Sequence, residues 1–153
     1  MGLFDGIAIS ASGLTAQRLR MDVIANNIAN AQSTRSAEDP TIPYQRQRAV
    51  FTPVQGPGSF ASVLQNSLQS PGQGVQATVE KDTETPFKLV YDPTHPDSIK
   101  DPNDPMYGYV RMPNVDISME MVDMISASRG YEANVTAVNA AKTMALKALE
   151  IGR

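Results

Sequence analysis

ISMEMVDMISASRGYEANVTAVNAAKTMALKALE, residues 117–150, is the stretch that decides the fold. Ile117, Met124, Tyr131, Val138 and Ala145 recur every seven residues, and Met121, Ser128, Val135, Lys142 and Leu149 form a second series offset by four. Together they predict an a/d-like seam over nearly five heptads, interrupted at Ser128 and Lys142. Such a helix spans roughly 50 Å at 1.5 Å per residue. It cannot fold around its own core and must lie against another helix. Asp116 or Ser118 suits the N-cap, and Glu120 and Asp123 fall in the first turns, where the helix dipole favours acids. Lys147 and Gly152 suit the other end.

The partner is at the opposite terminus. Ile7, Leu14, Met21 and Ile28 also recur every seven residues, with Ala11, Ile24, Ala25 and Ala31 between them. Asp5 could cap this helix, and the polar run 32–39 ends it. Gly6 and Gly13 weaken it by about 1 kcal/mol each relative to Ala, so alone it is marginal. All 11 prolines lie between Pro40 and Pro113. Because proline costs about 3 kcal/mol inside a helix, the middle is closed to long helices and the two ends are open to them. Within the middle, residues 44–51, 74–79, 87–91 and 106–111 read as short strands. Residues 55–73, rich in Gly, Ser, Gln and Pro, read as a flexible loop with room for a short helix at 60–68. The expected architecture is an elongated α+β chain: an N-terminal helix over 1–35, a β- and loop-rich segment over 36–113, and a C-terminal helix over 114–153, the helices paired as a coiled coil.

Composition excludes several functions. The 153 residues carry 13 Lys+Arg against 16 Asp+Glu, with no basic excess for nucleic acid or anionic lipid. There is no cysteine, hence no disulfide, thiolate metal site or Cys nucleophile. No apolar run approaches the ~18 residues of a membrane span, and the N-terminus lacks the features of a cleaved secretory signal. His95 is the only histidine. With Asp92, Asp97, Asp101 and Asp104 it forms the only cluster of metal-ligand type, but prolines separate these residues and their spacing fits no ligand loop; successive turns are the expected reading. No Ser lies in a nucleophile elbow and no phosphate-binding glycine loop occurs. Catalytic, cofactor-binding and metal-binding residues are therefore all expected to be none.

Met112, Met119, Met121 and Met124 crowd the start of the long helix, where adaptable packing is the expected role. Gly130 marks either close helix approach or a local kink. Asn26, Asn27 and Asn30, with Asn134 and Asn139 on the other arm, are poor helix formers. They read either as fraying ends or as amides that bond across a helix interface and fix its register.

These residues carry a resemblance. LTAQRLRMDVIANNIANA, residues 14–31, is similar to the N-terminal signature of the bacterial flagellar rod/hook axial family. GYVRMPNV at 108–115 followed by EMVDMISASRGYEAN at 120–134 resembles its C-terminal counterpart, and the short length with YDPTHPD at 91–97 resembles the proximal-rod members. The resemblance implies terminal helices that pair, subunits that stack helically around a hollow export channel, a β-rich middle facing outward, and torque transmitted from the motor to the distal rod and hook. It implies export through the flagellar type III apparatus without a cleaved signal, a periplasmic location in the basal body, and no substrate or cofactor. The implied partners are copies of the chain, other proximal and distal rod subunits and the MS-ring/rod adaptor. The implied assembly residues are Asn26, Asn27, Asn30, Leu14, Met21 and Ile28, with Met124, Tyr131, Asn134 and Val138 opposite; Ile7, Met121, Val135 and Leu149 extend the set along the seams. The competing reading is a stand-alone helical-hairpin adaptor that binds one soluble partner.

Overall fold

The computed structural model describes residues 3–37, 39–54 and 74–151. The elements run α1 (Leu3–Ala29), β1 (Gln47–Pro53), β2 (Val75–Lys81), β3 (Lys88–Tyr91), β4 (Tyr109–Met112) and α2 (Ile117–Ile151). This is the expected α+β order, with long terminal helices around a strand-containing middle. The flexible loop expected over 55–73, and the short helix within it, lie outside the described residues.

Strand limits depart from expectation for local reasons. Gly74 has φ +81° and Gly108 φ +80°, backbone that only glycine adopts freely, so β2 starts at Val75 and β4 at Tyr109. Residues 106–108 belong instead to a turn in which the Tyr107 N–H donates to the Asp104 carbonyl and the Tyr109 N–H to the Met106 carbonyl. β1 and β2 form one two-stranded sheet, and β3 and β4 another, antiparallel, with Leu89 opposite Arg111 and Tyr91 opposite Tyr109.

The chain divides into two compact units, one drawn from residues 1–22, 49–78 and 124–153, the other from 23–48 and 79–123. In the first unit the helices run antiparallel at close range. A Cβ added at Gly13 would lie 3.0 Å from Asn134 Nδ2, and one added at Gly130 would lie 2.9 Å from Gln17 Nε2. Gly130 is thus a point of close approach, the first of its two expected roles. Ala16 and Ala127 are buried in the same unit. β2 is tied to α1 by Ser12, whose Oγ accepts from the Val75 N–H (3.0 Å) and donates to the Ile9 carbonyl (2.7 Å).

In the second unit, Val23, Ile24, Val110 and Val115 form the apolar core. Asp116 is the N-cap of α2: its Oδ1 accepts from the Ser118 N–H at 3.0 Å and the Met119 N–H at 3.4 Å. Asp5 lies within the first turn of α1 rather than at its cap.

The expected seams shift in phase. The inward line of α2 runs through Glu120, Ala127 and Asn134, one residue before the series that contains Met121, Ser128 and Val135. Met121 and Leu149 are 55% and 71% exposed, Lys142 is exposed, and Ile117 at the head of the other series is 40% exposed. Met124, Tyr131, Val138 and Ala145 are half-buried. On α1 the buried line is Ala16, Val23, Ile24 and Asn27, with Ile7, Leu14, Met21 and Ile28 half-buried beside it and Ala11 and Ala25 exposed. In the first unit small residues bring the backbones together, and larger apolar side chains of α2 such as Ile125 and Leu149 stand off the line of contact.

Candidate assembly interface

The most densely bonded site lies in the second unit, where α1, the entry to β1 and the first turns of α2 meet. Asn27 is 1% exposed. Its Nδ2 donates to the Gln47 carbonyl (2.8 Å) and to Glu120 Oε2 (3.1 Å). Its Oδ1 accepts from the Gln47 N–H (2.9 Å) and the Tyr44 hydroxyl (3.0 Å). Two donors and two acceptor sites are all a carboxamide has, so Asn27 is fully used. By engaging both main-chain groups of Gln47, it acts toward β1 as an adjacent strand would.

Glu120, also 1% exposed, is held on its other oxygen by Arg46 Nε at 2.6 Å. Arg46 Nη2 also lies 3.5 Å from Asp123. The Arg46 N–H donates to Asn114 Oδ1 (2.8 Å), and Asn114 Nδ2 reaches the carbonyls of Asp82 (3.3 Å) and Thr85 (3.2 Å). Burial, and then the Glu120 carboxylate, hold the Tyr44 hydroxyl above its usual pKa. Arg46, Glu120, Asn114 and Tyr44 were not among the expected site residues. The available signal was heptad phase: Glu120 is seven residues before Ala127 and fourteen before Asn134.

The other asparagines behave differently. Asn26 is exposed, and Asn30 Nδ2 returns to the Asn26 carbonyl (2.9 Å) within its own helix end. Asn134 Nδ2 likewise returns to the Gly130 carbonyl (3.0 Å), while its amide packs on Gly13. Of Asn26, Asn27, Asn30 and Asn134, Asn27 is the one whose side chain donates from α1 to α2, at Glu120.

The segment around His95 consists of turns. Asp92 Oδ1 accepts from the N–H and hydroxyl of Thr94, Asp101 Oδ1 from the Asn103 N–H, and Asp104 Oδ1 from the Met106 N–H. His95 Nδ1 accepts from the Asp97 N–H at 3.1 Å. Asp97 is occupied by the Thr34 hydroxyl (2.7 Å) and the Arg35 guanidinium, and these hydrogen bonds hold its carboxyl below the usual range. Among the described residues no group of three His, Cys, Asp or Glu side chains is placed to hold a metal ion.

The outer surface of α2 exposes apolar side chains towards both of its ends. Met119, Val122 and Ile125 are 62%, 64% and 56% exposed, and Met144, Leu146 and Ile151 are exposed towards the other end of the helix. Spacings of three and four place Met121, Val122 and Ile125 together on one face. In the first unit, Ala16, Leu19, Val54, Val75 and Ala77 line an apolar cleft of about 360 Å³.

Comparison with known proteins assigns this arrangement to a family. Residues 7–35 match the family described as flagella basal body rod protein, and residues 106–151 match that described as flagellar basal body rod FlgEFG protein C-terminal. The flagellar basal-body rod protein FlgC of Borreliella burgdorferi is 52% identical over 157 residues, covering 99% of this chain and 98% of its own length. The proteins of that name from Bacillus subtilis and Salmonella typhimurium are 44% and 39% identical, each over the whole of both chains. Both the terminal arms and the middle segment are thus shared, and the chain belongs to the FlgC family of flagellar basal-body rod proteins.

Proposed function

We propose that this chain is a structural subunit of the proximal rod of the bacterial flagellar basal body. It polymerises helically around the export channel and passes torque from the motor to the distal rod and hook. Its relatives are named rod proteins, and its role is mechanical, not catalytic. The observation that carries the reading is the set of outward apolar side chains on α2, where eight large ones (Met119, Met121, Val122, Ile125, Met144, Leu146, Leu149 and Ile151) are more than half exposed in the single chain. Exposed apolar clusters of this kind, here at 119–125 and 144–151, mark faces that another protein covers. A helix whose inner line is set by Ala127, Gly130 and Asn134 leaves its larger side chains for neighbouring subunits.

The partners in this reading are copies of the chain, other rod subunits and the MS-ring/rod adaptor, with the type III export apparatus as a transient one. In this reading the chain reaches the periplasmic rod through that apparatus. Ile7, Leu14, Met21, Ile28, Met124, Tyr131, Val135 and Val138 meet neighbours along their half-buried edges, and Asn26, Asn30, Met121 and Leu149 through exposed or loosely held groups. The arms of the first unit, with glycines at 6, 13 and 130 and a core of alanines, gain their final order on assembly.

The test is Val122→Asp with Ile125→Asp as the only copy of the gene in its own bacterium. Both side chains are exposed, so the purified subunit should keep its fold by circular dichroism. Isolated basal bodies should lack the variant and the cells should not swim. Normal incorporation and swimming would refute the assigned face, and swimming in a strain deleted for the gene would refute the rod assignment.

A further inference from the structure

We infer that Glu120, held by Arg46 and Asn27, is the specificity-determining residue that selects a single register for the antiparallel α1–α2 pair. The inference concerns the folded chain and holds whether or not it polymerises. Its basis is the contrast between a smooth helix seam and one polar fixture. Ala16 and Gly13 on α1, and Ala127 and Gly130 on α2, present little relief. Small residues let two backbones approach, and the tight fits at Gly13 and Gly130 are against the flexible ends of Asn134 and Gln17, which can give way when one heptad step replaces another. Knob size therefore discriminates poorly between registers.

Glu120 does discriminate. Its two oxygens have separate partners from two segments: Arg46 Nε at 2.6 Å from the entry to β1, and Asn27 Nδ2 at 3.1 Å from α1. A slide of seven residues would place Ala127 or Pro113 where Glu120 stands. Arg46 would lose its carboxylate and Asn27 one acceptor, while Glu120 would move to a position with no cation fixed for it. Arg46 cannot follow, because the adjoining Gln47 is held at both main-chain groups by Asn27 of α1, and the Arg46 N–H would also lose Asn114, which moves with α2. Removing one partner of a buried ion pair is far more costly than exchanging the whole pair for apolar groups. On that scale the slipped register is disfavoured by about a hundredfold or more. A single buried polar position that fixes register at some cost in stability is the best-attested use of such groups in paired helices.

The chain contains no cysteine, so two labels can be placed without background. Ala25→Cys and Val122→Cys are both exposed and lie on either side of the clamp, and spin labels there report the register by double electron–electron resonance. The labelled parent should give one narrow distance population. Replacing the whole fixture with apolar groups (Asn27→Leu, Arg46→Met, Glu120→Met) should retain helix content while adding a second population from a heptad slide of about 10 Å along the axis. One narrow population in the triple variant would overturn the inference, as would several in the parent. If the triple variant fails to fold, Glu120→Gln, which keeps the side chain's shape but removes the charge that Arg46 pairs with, is read with the same labels: a second population supports the inference and an unchanged single one refutes it.

Discussion

Asn26, Asn27 and Asn30 sit within five residues of one motif, and their alanine substitutions should differ sharply. Asn27→Ala removes four hydrogen bonds from a side chain that is 1% exposed. Tyr44 is half-buried and finds water. The cost falls on Glu120 Oε2, which stays buried without its Asn27 donor while Arg46 holds the other oxygen, and on the N–H and carbonyl of half-buried Gln47, both left without their partner. A stranded buried donor costs about 1–3 kcal/mol, and the carbonyl somewhat less. Alanine returns a few tenths of a kcal/mol through helix propensity. The net expectation is a loss of about 2–3 kcal/mol, a large share of the 5–15 kcal/mol typical of a domain. Asn26→Ala and Asn30→Ala, which give up an exposed side chain and one local bond, should stay within about 0.5 kcal/mol. Asn27→Asp should be worse than Asn27→Ala, because a carboxylate cannot donate to the Gln47 carbonyl and would face Glu120. Urea unfolding followed by far-ultraviolet circular dichroism measures all four variants. Equal losses at positions 26, 27 and 30, or a loss below 1 kcal/mol for Asn27→Ala, would refute the reasoning.

Three further outcomes follow from local geometry. Gly108→Ala combines a left-handed backbone with a Cβ 2.9 Å from Tyr91 Cε2, beside a Tyr91–Tyr109 edge-to-face pair 5.2 Å apart. It should cost about 1–2 kcal/mol for the backbone alone, measured by urea unfolding, and wild-type stability would contradict this. Gln17→Leu removes an Oε1 that is buried without a hydrogen-bond partner, so the melting temperature should hold or rise; a loss above 1 kcal/mol would show that the amide has a partner. Asp97 (through Arg35), Asp92 (through Thr94) and Asp82 (through the Thr85 N–H) all have carboxyls held below the ordinary 3.8. Since the folded value is the lower one, their contribution is present above about pH 4 and fades as pH falls through the folded values. Asp97→Asn should therefore narrow the stability difference between pH 6 and pH 3, and an unchanged difference would exclude Asp97 from the acid response.

The helices were legible because two independent signals agree on them: the seven-residue apolar recurrence and the confinement of all prolines to 40–113. The turns at 92–106 were legible because each Asp caps an N–H two residues on, which is local chemistry. The helix phase was not. Counting apolar residues favours Met121 and Leu149, yet the contact follows Gly13, Ala16, Ala127 and Gly130, whose value lies in what they lack. Glu120 was legible only as a first-turn acid near the helix dipole. Its role depends on Arg46 and Asn27, which lie 74 and 93 positions away along the chain. Asn27 is identical in kind to its neighbours in the motif, and a rotation of 100° along α1 is all that turns it inward while Asn26 faces solvent.

The distribution of side chains connects these points. The largest fully buried side chains of the second unit are Glu120, Val110, Asn27, Pro43 and Pro113, two of them polar and none aromatic. Apolar mass of that size leaves a narrow margin over the entropy of ordering the chain. What distinguishes the native arrangement from its neighbours must then come from directional contacts, which cost more when misplaced than they contribute when made. Meanwhile Val122, Ile125, Leu146 and Leu149, which could have enlarged the core, remain outside. Turning them inward would stabilise the isolated subunit by about 1.5–3 kcal/mol for each fully buried side chain. The same turn would remove the surface on which the proposed polymer depends. A chain with its ion pair inside and its aliphatic side chains outside is specific before it is stable, and under the proposed function the missing stability comes from the next subunit.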